Sequence, residues 1–246
     1  KAKVKILTGF GNSPGITQML ARKGYNSMEK CRRINVNWAA GSNEAVGATN
    51  LMHLFHIFNG TTLQTFRGKE MPVNTGDGRK MVEFPYPMGW LPVYYTGHAE
   101  SVSLPRNLPG LEEATLHGGV QPPYIVQLVK SLSKTGMFKT HERRKKAANF
   151  FHRIDSIFAG GGLDKSVGRV DVYGVDEGKA VYRYYTYIGH IAQLTAFPAV
   201  QAAWWLTKGK FKGKDGGVYS AERILDQPDE FLSELIGRGL EIYYYE

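Results

Sequence analysis

The stretch Gly9-Phe10-Gly11-Asn12-Ser13-Pro14-Gly15 restricts the fold of this chain more than any other. It follows Val4-Lys5-Ile6-Leu7, which reads as a short strand. It precedes Gly15–Lys23, which reads as a helix with Pro14 in its first turn and Gly24 at its end. Such a junction can be a dinucleotide fingerprint, whose glycines let a pyrophosphate approach the amides at a helix N-terminus. It can equally be a plain strand-to-helix turn. The spacing here is G-x-G-x-x-x-G, and Pro14 removes one amide donor. A fingerprint also needs a carboxylate at the end of the next strand to hold the ribose. That strand, Arg33–Trp38, runs into Ala39-Ala40-Gly41 and meets no carboxylate before Glu44.

The remaining pattern mixes strands and helices. Apolar residues at helical spacing mark Glu44–Phe58, Tyr124–Leu132, Glu142–Phe158 and Pro228–Ile236 as helices. Ile191–Leu206 is a further helix, with a kink or break predicted at Pro198. Thr61–Arg67, Lys80–Phe84, Glu112–His117 and Leu240–Tyr244 read as strands. Arg169–Val175 and Lys179–Ile188 alternate across Asp176-Glu177-Gly178 and predict a hairpin. Pro85 to Pro92 is proline-stiffened and reads as a loop. The fold class that follows is α+β, a mixed and largely antiparallel sheet with flanking helices.

Composition narrows the function classes. No apolar run reaches the ~20 residues that span a bilayer. The single cysteine, Cys31, excludes an internal disulfide and a thiolate metal cage, and fits a reducing, cytoplasmic setting. Arg32 and Arg33 beside it could lower its pKa, but a connector position is the simpler reading. The net charge of +9 favours an anionic substrate or a polyanionic partner. Two basic runs carry that charge, Glu142–Lys146 and Lys208–Lys214, and each reads first as a solvated face. Trp204-Trp205 reads as core or subunit interface. His53 and His56 lack a third ligand at convincing spacing, so no metal site is assigned.

Several segments, in order, resemble the saccharopine dehydrogenase-like oxidoreductases. They are Ser13-Pro14-Gly15-Ile16, Val36-Asn37-Trp38, Gly68 with the turn Met71-Pro72-Val73, Gly97-His98-Ala99-Glu100, Leu104-Pro105-Arg106 and the tail from Gly217. The resemblance covers the region after the family's nucleotide-binding Rossmann half. That half, typically about 120 residues, is expected upstream, and the opening Lys1 reads as a cut. The resemblance implies a domain of the glyceraldehyde-3-phosphate dehydrogenase C-terminal type. Residues 1–216 would form a substrate-binding and dimerisation domain, and 217–246 a tail docking on the Rossmann half. It also offers a third reading of the glycine turn, as a loop at the cleft between the two halves.

The implied function is hydride transfer with NAD or NADP, held mainly by the other half, at a C–N bond of an amino-acid derivative. The small-molecule substrate would be amino-acid-like and the protein a homodimer, with no membrane and no nucleic acid as partners. On this reading His98 and Glu100 are the catalytic base pair. Ser13, Gly15, Tyr94, Arg106 and Arg183 bind substrate, the arginines through carboxylates. Gly11, Ser13 and Pro14 touch the cofactor. His190 is a helix-entry residue. The alternative is a non-enzymatic basic module that grips an anionic partner such as nucleic acid.

Overall fold

The strand, turn and helix at the start of the chain form with shifted bounds. The computed structural model describes residues 3–44, 47–153, 162–211 and 216–245. In it β1 spans Lys5–Thr8 and α1 spans Ile16–Asn26. Gly15 is the N-cap, so Pro14 lies outside the helix rather than in its first turn. Gly24 lies within α1 rather than at its end, for a steric reason. A Cβ on Gly24 would meet Val172 Cγ2 at 2.5 Å and Tyr185 Cε2 at 2.8 Å. The helix backbone therefore rests almost directly on the sheet, and Ile16, Met19, Leu20 and Ala21 are fully buried.

The chain continues through β2 (Lys30–Gly41), α2 (Ala48–Ile57), β3 (Thr61–Phe66), β4 (Lys69–Asn74), β5 (Lys80–Phe84), β6 (Gly89–Tyr95), α3 (Glu100–Asn107) and β7 (Glu113–Gln121). Then come α4 (Tyr124–Lys134), α5 (His141–Arg153), β8 (Ser166–Asp176), β9 (Lys179–Gly189) and α6 (Ile191–Thr207). The tail supplies β10 (Gly217–Ser220), α7 (Ala221–Ile224), α8 (Asp229–Gly237) and β11 (Glu241–Tyr245). Among the described residues one large sheet runs β11-β9-β8-β2-β7-β3-β4, with β6 also paired to β7 and β5 to β6. Only the β2–β7 pair is parallel within it. The fold is thus α+β with a mostly antiparallel sheet, as the pattern predicts.

The hairpin β8–β9 closes at Glu177-Gly178, both with positive φ, as the turn chemistry requires. Four local expectations are corrected. Pro85–Pro92 is not all loop: Gly89–Pro92 opens β6, and the β5–β6 hairpin packs Val82, Phe84, Met88 and Leu91 against Val167 and Ile188. Met71-Pro72-Val73 is the middle of β4, paired to β3, rather than a turn. α6 runs unbroken through Pro198, with Leu194, Pro198, Gln201, Ala202 and Trp205 buried along it. Glu44 lies outside α2, and residues 45–46 and 154–158 of the two predicted helices lie outside the described residues.

A second, two-stranded sheet pairs β1 with β10 in parallel, Lys5 opposite Gly217 through Thr8 opposite Ser220. Val4, Ile6 and Val218 on it are more than half exposed. The tail also returns to the main body: α8 buries Phe231, Leu232 and Leu235, and β11 pairs with β9. No helix among the described residues is long and apolar enough to cross a membrane.

Helix propensity alone predicts that Gly24→Ala gains about 1 kcal/mol. The contact with Val172 and Tyr185 predicts the opposite sign, a loss of about 1–3 kcal/mol from overpacking. A urea unfolding curve decides: the midpoint falls, with an unchanged slope.

Candidate active site

The glycine turn closes on itself. The Gly11 amide donates to Pro14 O (3.0 Å), the Ile16 amide to Gly11 O (2.9 Å) and the Thr17 amide to Asn12 O (3.4 Å). Gly15 has φ 145°, and a Cβ there would lie 2.0 Å from Gly11 O. Glycine is required because the two ends of the turn touch. The amides of Ile16 and Thr17, at the start of α1, are used within the turn, which leaves fewer donors for a pyrophosphate than an open fingerprint presents. Glu44, the first carboxylate after β2, is also occupied. Its Oε1 accepts from Ser166 Oγ (2.9 Å) and from the Ile191 amide (2.9 Å) at the start of α6. A carboxylate is favoured at that helix N-terminus. His190 precedes α6 as its N-cap, with Nδ1 3.7 Å from Glu44 Oε2, which makes it the helix-entry residue expected.

Beside the turn lies a cavity of about 680 Å³, lined by the glycine turn, β2, α2, α4 and the start of α6. That volume is ordinary for a small-molecule site. Gly11, Ser13, Pro14 and His98 line it, and so do Asn12, Trp38 and His53. At this end five side chains form one network of hydrogen bonds. Ser13 Oγ donates to Glu100 Oε1 (2.5 Å), and Thr17 Oγ1 donates to the same oxygen (2.8 Å). His98 Nδ1 lies 3.3 Å from Ser13 Oγ, and His98 Nε2 lies 2.9 Å from His53 Nε2. Ser13 has one hydrogen, given to Glu100, so His98 must donate from Nδ1 and accept at Nε2 from His53. Every donor then points toward the buried carboxylate. His98 is stacked between Trp38 and His53, at centroid distances of 5.7 and 5.1 Å.

Charge follows burial. Desolvation, then the neighbouring histidines, pushes His53 down to about 4. Desolvation and His56 push His98 down to about 4. Both rings are neutral at pH 7. Burial raises Glu100, against the hydrogen bonds from Ser13 and Thr17, and its Oε2 has no partner. Asn12 Oδ1 accepts from the Tyr187 hydroxyl (2.5 Å), which leaves the Asn12 amide nitrogen as a donor at the same end.

The other predicted residues lie elsewhere. Tyr94 is buried in β6 opposite Gly118 and does not line the cavity. Arg106 is spent on Glu70 (2.7 and 3.1 Å) at the surface, beside a different, open depression. Arg183 binds Asp176 (3.1 Å) and the Ser27 carbonyl. Neither arginine reaches the cavity, so the pairing with substrate carboxylates expected of them is not built. Gly15 acts through its backbone. Cys31 is buried in β2 and pushed up to about 12 by desolvation, so it is an inert thiol. No cluster of metal ligands occurs among the described residues. Arg143 and Arg144 donate to the carbonyls of Gly136 and Phe138, and Lys210 is held by Glu230 and Glu234. Phe211 is an anchor buried against Phe10 and Trp205, and residues 212–214 lie outside the described residues. Trp205 is core, whereas Trp204 is half exposed under Lys208.

Two outcomes are expected. Histidine nitrogen NMR at pH 7 finds His98 neutral with its proton on Nδ1; an Nε2–H tautomer contradicts the hydrogen-bond order. Because His53 and His98 are held below their unfolded value, the unfolded chain binds more protons between about pH 6.5 and 4. Stability therefore falls as pH drops through that window, and His98→Phe makes the fall shallower in unfolding curves taken at pH 7, 5.5 and 4.

No protein-family model and no curated protein matches the chain. Solved structures do. A saccharopine dehydrogenase (L-Glu forming) from Saccharomyces cerevisiae is 13% identical, with a TM-score of 0.68 over 99% of this chain and 75% of that one. A homospermidine synthase from Legionella pneumophila, solved in complex with NAD, is 12% identical, with a TM-score of 0.56 over 99% of this chain and 64% of that one. At such identities the likeness is one of fold, and the fold is that of saccharopine dehydrogenase.

Proposed function

We propose that this chain is the substrate-binding part of a saccharopine dehydrogenase-like, NAD(P)-dependent oxidoreductase. The observation that carries the reading is the coincidence of two features. One is a closed cavity end built from Ser13, Glu100, His98 and His53. The other is the parallel β1–β10 pair, which has no further strand beside it among the described residues and exposes Val4, Ile6 and Val218. A parallel sheet is normally covered on both faces. A nucleotide-binding half seated on β1–β10 would cover this one, and the solved structures extend beyond the region that matches.

The glycine turn is a poor seat for the coenzyme's diphosphate, because the amides of Gly11, Ile16 and Thr17 are bonded within the turn and Pro14 has none. Gly11, Ser13 and Pro14 line the cavity with little side-chain bulk and no charge, which suits a flat ring. These residues would form the wall against the nicotinamide, and the coenzyme's diphosphate would be held by the other half. The bound coenzyme supplies or takes the hydride. This chain's part is the proton. The neutral His53–His98 pair would accept it in the oxidative direction at His53 Nδ1, the ring nitrogen left free by the hydrogen-bond order that Ser13 and Glu100 set. That role suits an amine or imine carbon, as the family resemblance implies. The amino-acid carboxylates also implied by that resemblance find no partner in the cavity.

Two results test the reading. Titrated with NADH or NADPH, the chain alone shows no micromolar binding; saturation in that range contradicts it. Joined to a nucleotide-binding half, it loses about 10²–10⁴ of its turnover on His53→Asn, the usual worth of a general base. Oxidative kcat/KM there stays level from pH 8 down to about 5, since a base held near 4 remains unprotonated. A tenfold fall per pH unit below 6.5 would mark an unshifted histidine and contradict it.

A further inference from the structure

Away from the histidine end, most of the cavity wall is hydrocarbon. Leu51, Leu54 and Phe55 of α2 line it together with Val120 of β7 and Ile125 and Leu128 of α4. Among the described residues no lysine or arginine lines it. Its one lining carboxylate, Glu44, is already bound by Ser166 and the start of α6. Ser13, His53 and His98, with the amide nitrogen of Asn12, form its polar end, and Ser42, Asn50 and Thr195 add only neutral polar groups to the lining.

A carboxylate drawn into such a space loses its water and gains no cation, which is costly. An uncharged molecule loses little and buries its apolar arm favourably. We propose that the cavity takes an uncharged substrate with an alkyl or acyl arm. The arm lies between α2 and α4, and a single carbonyl-class head accepts from the Asn12 amide nitrogen, beside the His53–His98 pair. Free amino acids and dicarboxylates are rejected. This rests on reading the cavity as the substrate site, and it replaces the amino-acid-like substrate with a neutral one.

The test needs no coenzyme. Calorimetric titration of the chain with hexan-2-one, octan-2-one and decan-2-one is expected to show saturable binding. Kd should fall about fourfold per added methylene, the transfer worth of one CH₂. Decanoate at pH 8 should bind at least tenfold more weakly than decan-2-one, and L-glutamate should not bind. Leu128 is partly exposed, so Leu128→Arg should fold, as circular dichroism can verify, yet lose ketone binding. Leu128→Met should keep it. Absence of ketone binding, no dependence on chain length, ketone binding that survives Leu128→Arg in the folded variant, or tighter binding of decanoate or glutamate each overturns the proposal. Micromolar binding of NADH by the chain alone would instead sink the reading of this chain as a substrate-binding part whose coenzyme is held elsewhere, and leave the ligand class standing, so the two failures are distinguishable.

Discussion

The self-closure of the turn between β1 and α1 is the contact on which the rest of this molecule depends. Gly15 can approach Gly11 only because Gly15 carries no side chain, and the approach uses the amides of Gly11, Ile16 and Thr17 internally. It also fixes where Ser13 and Thr17 point. Both hydroxyls converge on Glu100, which opens α3 some 85 residues later. Gly24, one face of α1 further on, lets the same helix lie against β8 and β9. Moving α1 outward by the width of a methyl group would shift the serine away from the carboxylate. The site is thus positioned by packing of the helix, not by the loop alone.

That arrangement separates two tasks which glycine turns often combine. In a dinucleotide fold the turn leaves its amides free and binds phosphate. Here the turn binds itself and offers a side chain. Three amides are withdrawn from anion binding and a rigid hydroxyl is gained, seated at one end of a mostly apolar cavity. The hydroxyl orders the hydrogen bonds: Glu100 takes the Ser13 proton, Ser13 takes the His98 proton, and His98 takes that of His53. Burial keeps both rings neutral, the state in which a histidine can accept a proton.

Much of the frame was legible in the sequence. Alternation marked the β8–β9 hairpin, helical spacing marked α4 and α8, and the missing carboxylate after β2 together with Pro14 argued against a pyrophosphate site. Ser13, His98 and Glu100 were identified individually, and the fold joins them. The pairing of His53 with His98 was not legible, because it spans 45 residues and depends on how β6 and α2 meet. Helical spacing pointed His53 toward His56 instead. The arginines misled for a related reason. An arginine in sequence carries no sign of its partner: Glu70 is 36 residues from Arg106 and Ser27 is 156 from Arg183, while Asp176 meets Arg183 across the β8–β9 hairpin. Gly24 was mistaken for a helix terminator because close packing against a sheet has no local signature. Pro198 was mistaken for a break, although the helix on both sides of it is anchored by buried residues.

Native-state hydrogen exchange at Gly11, Ile16 and Thr17 tests the closed turn most directly. If the turn bonds to itself, these three amides exchange as slowly as those of the α1 core, and excess NADH leaves their rates unchanged. Fast exchange in the free chain, slowed markedly by NADH, would show an open amide cradle that binds the coenzyme's diphosphate and would contradict the account.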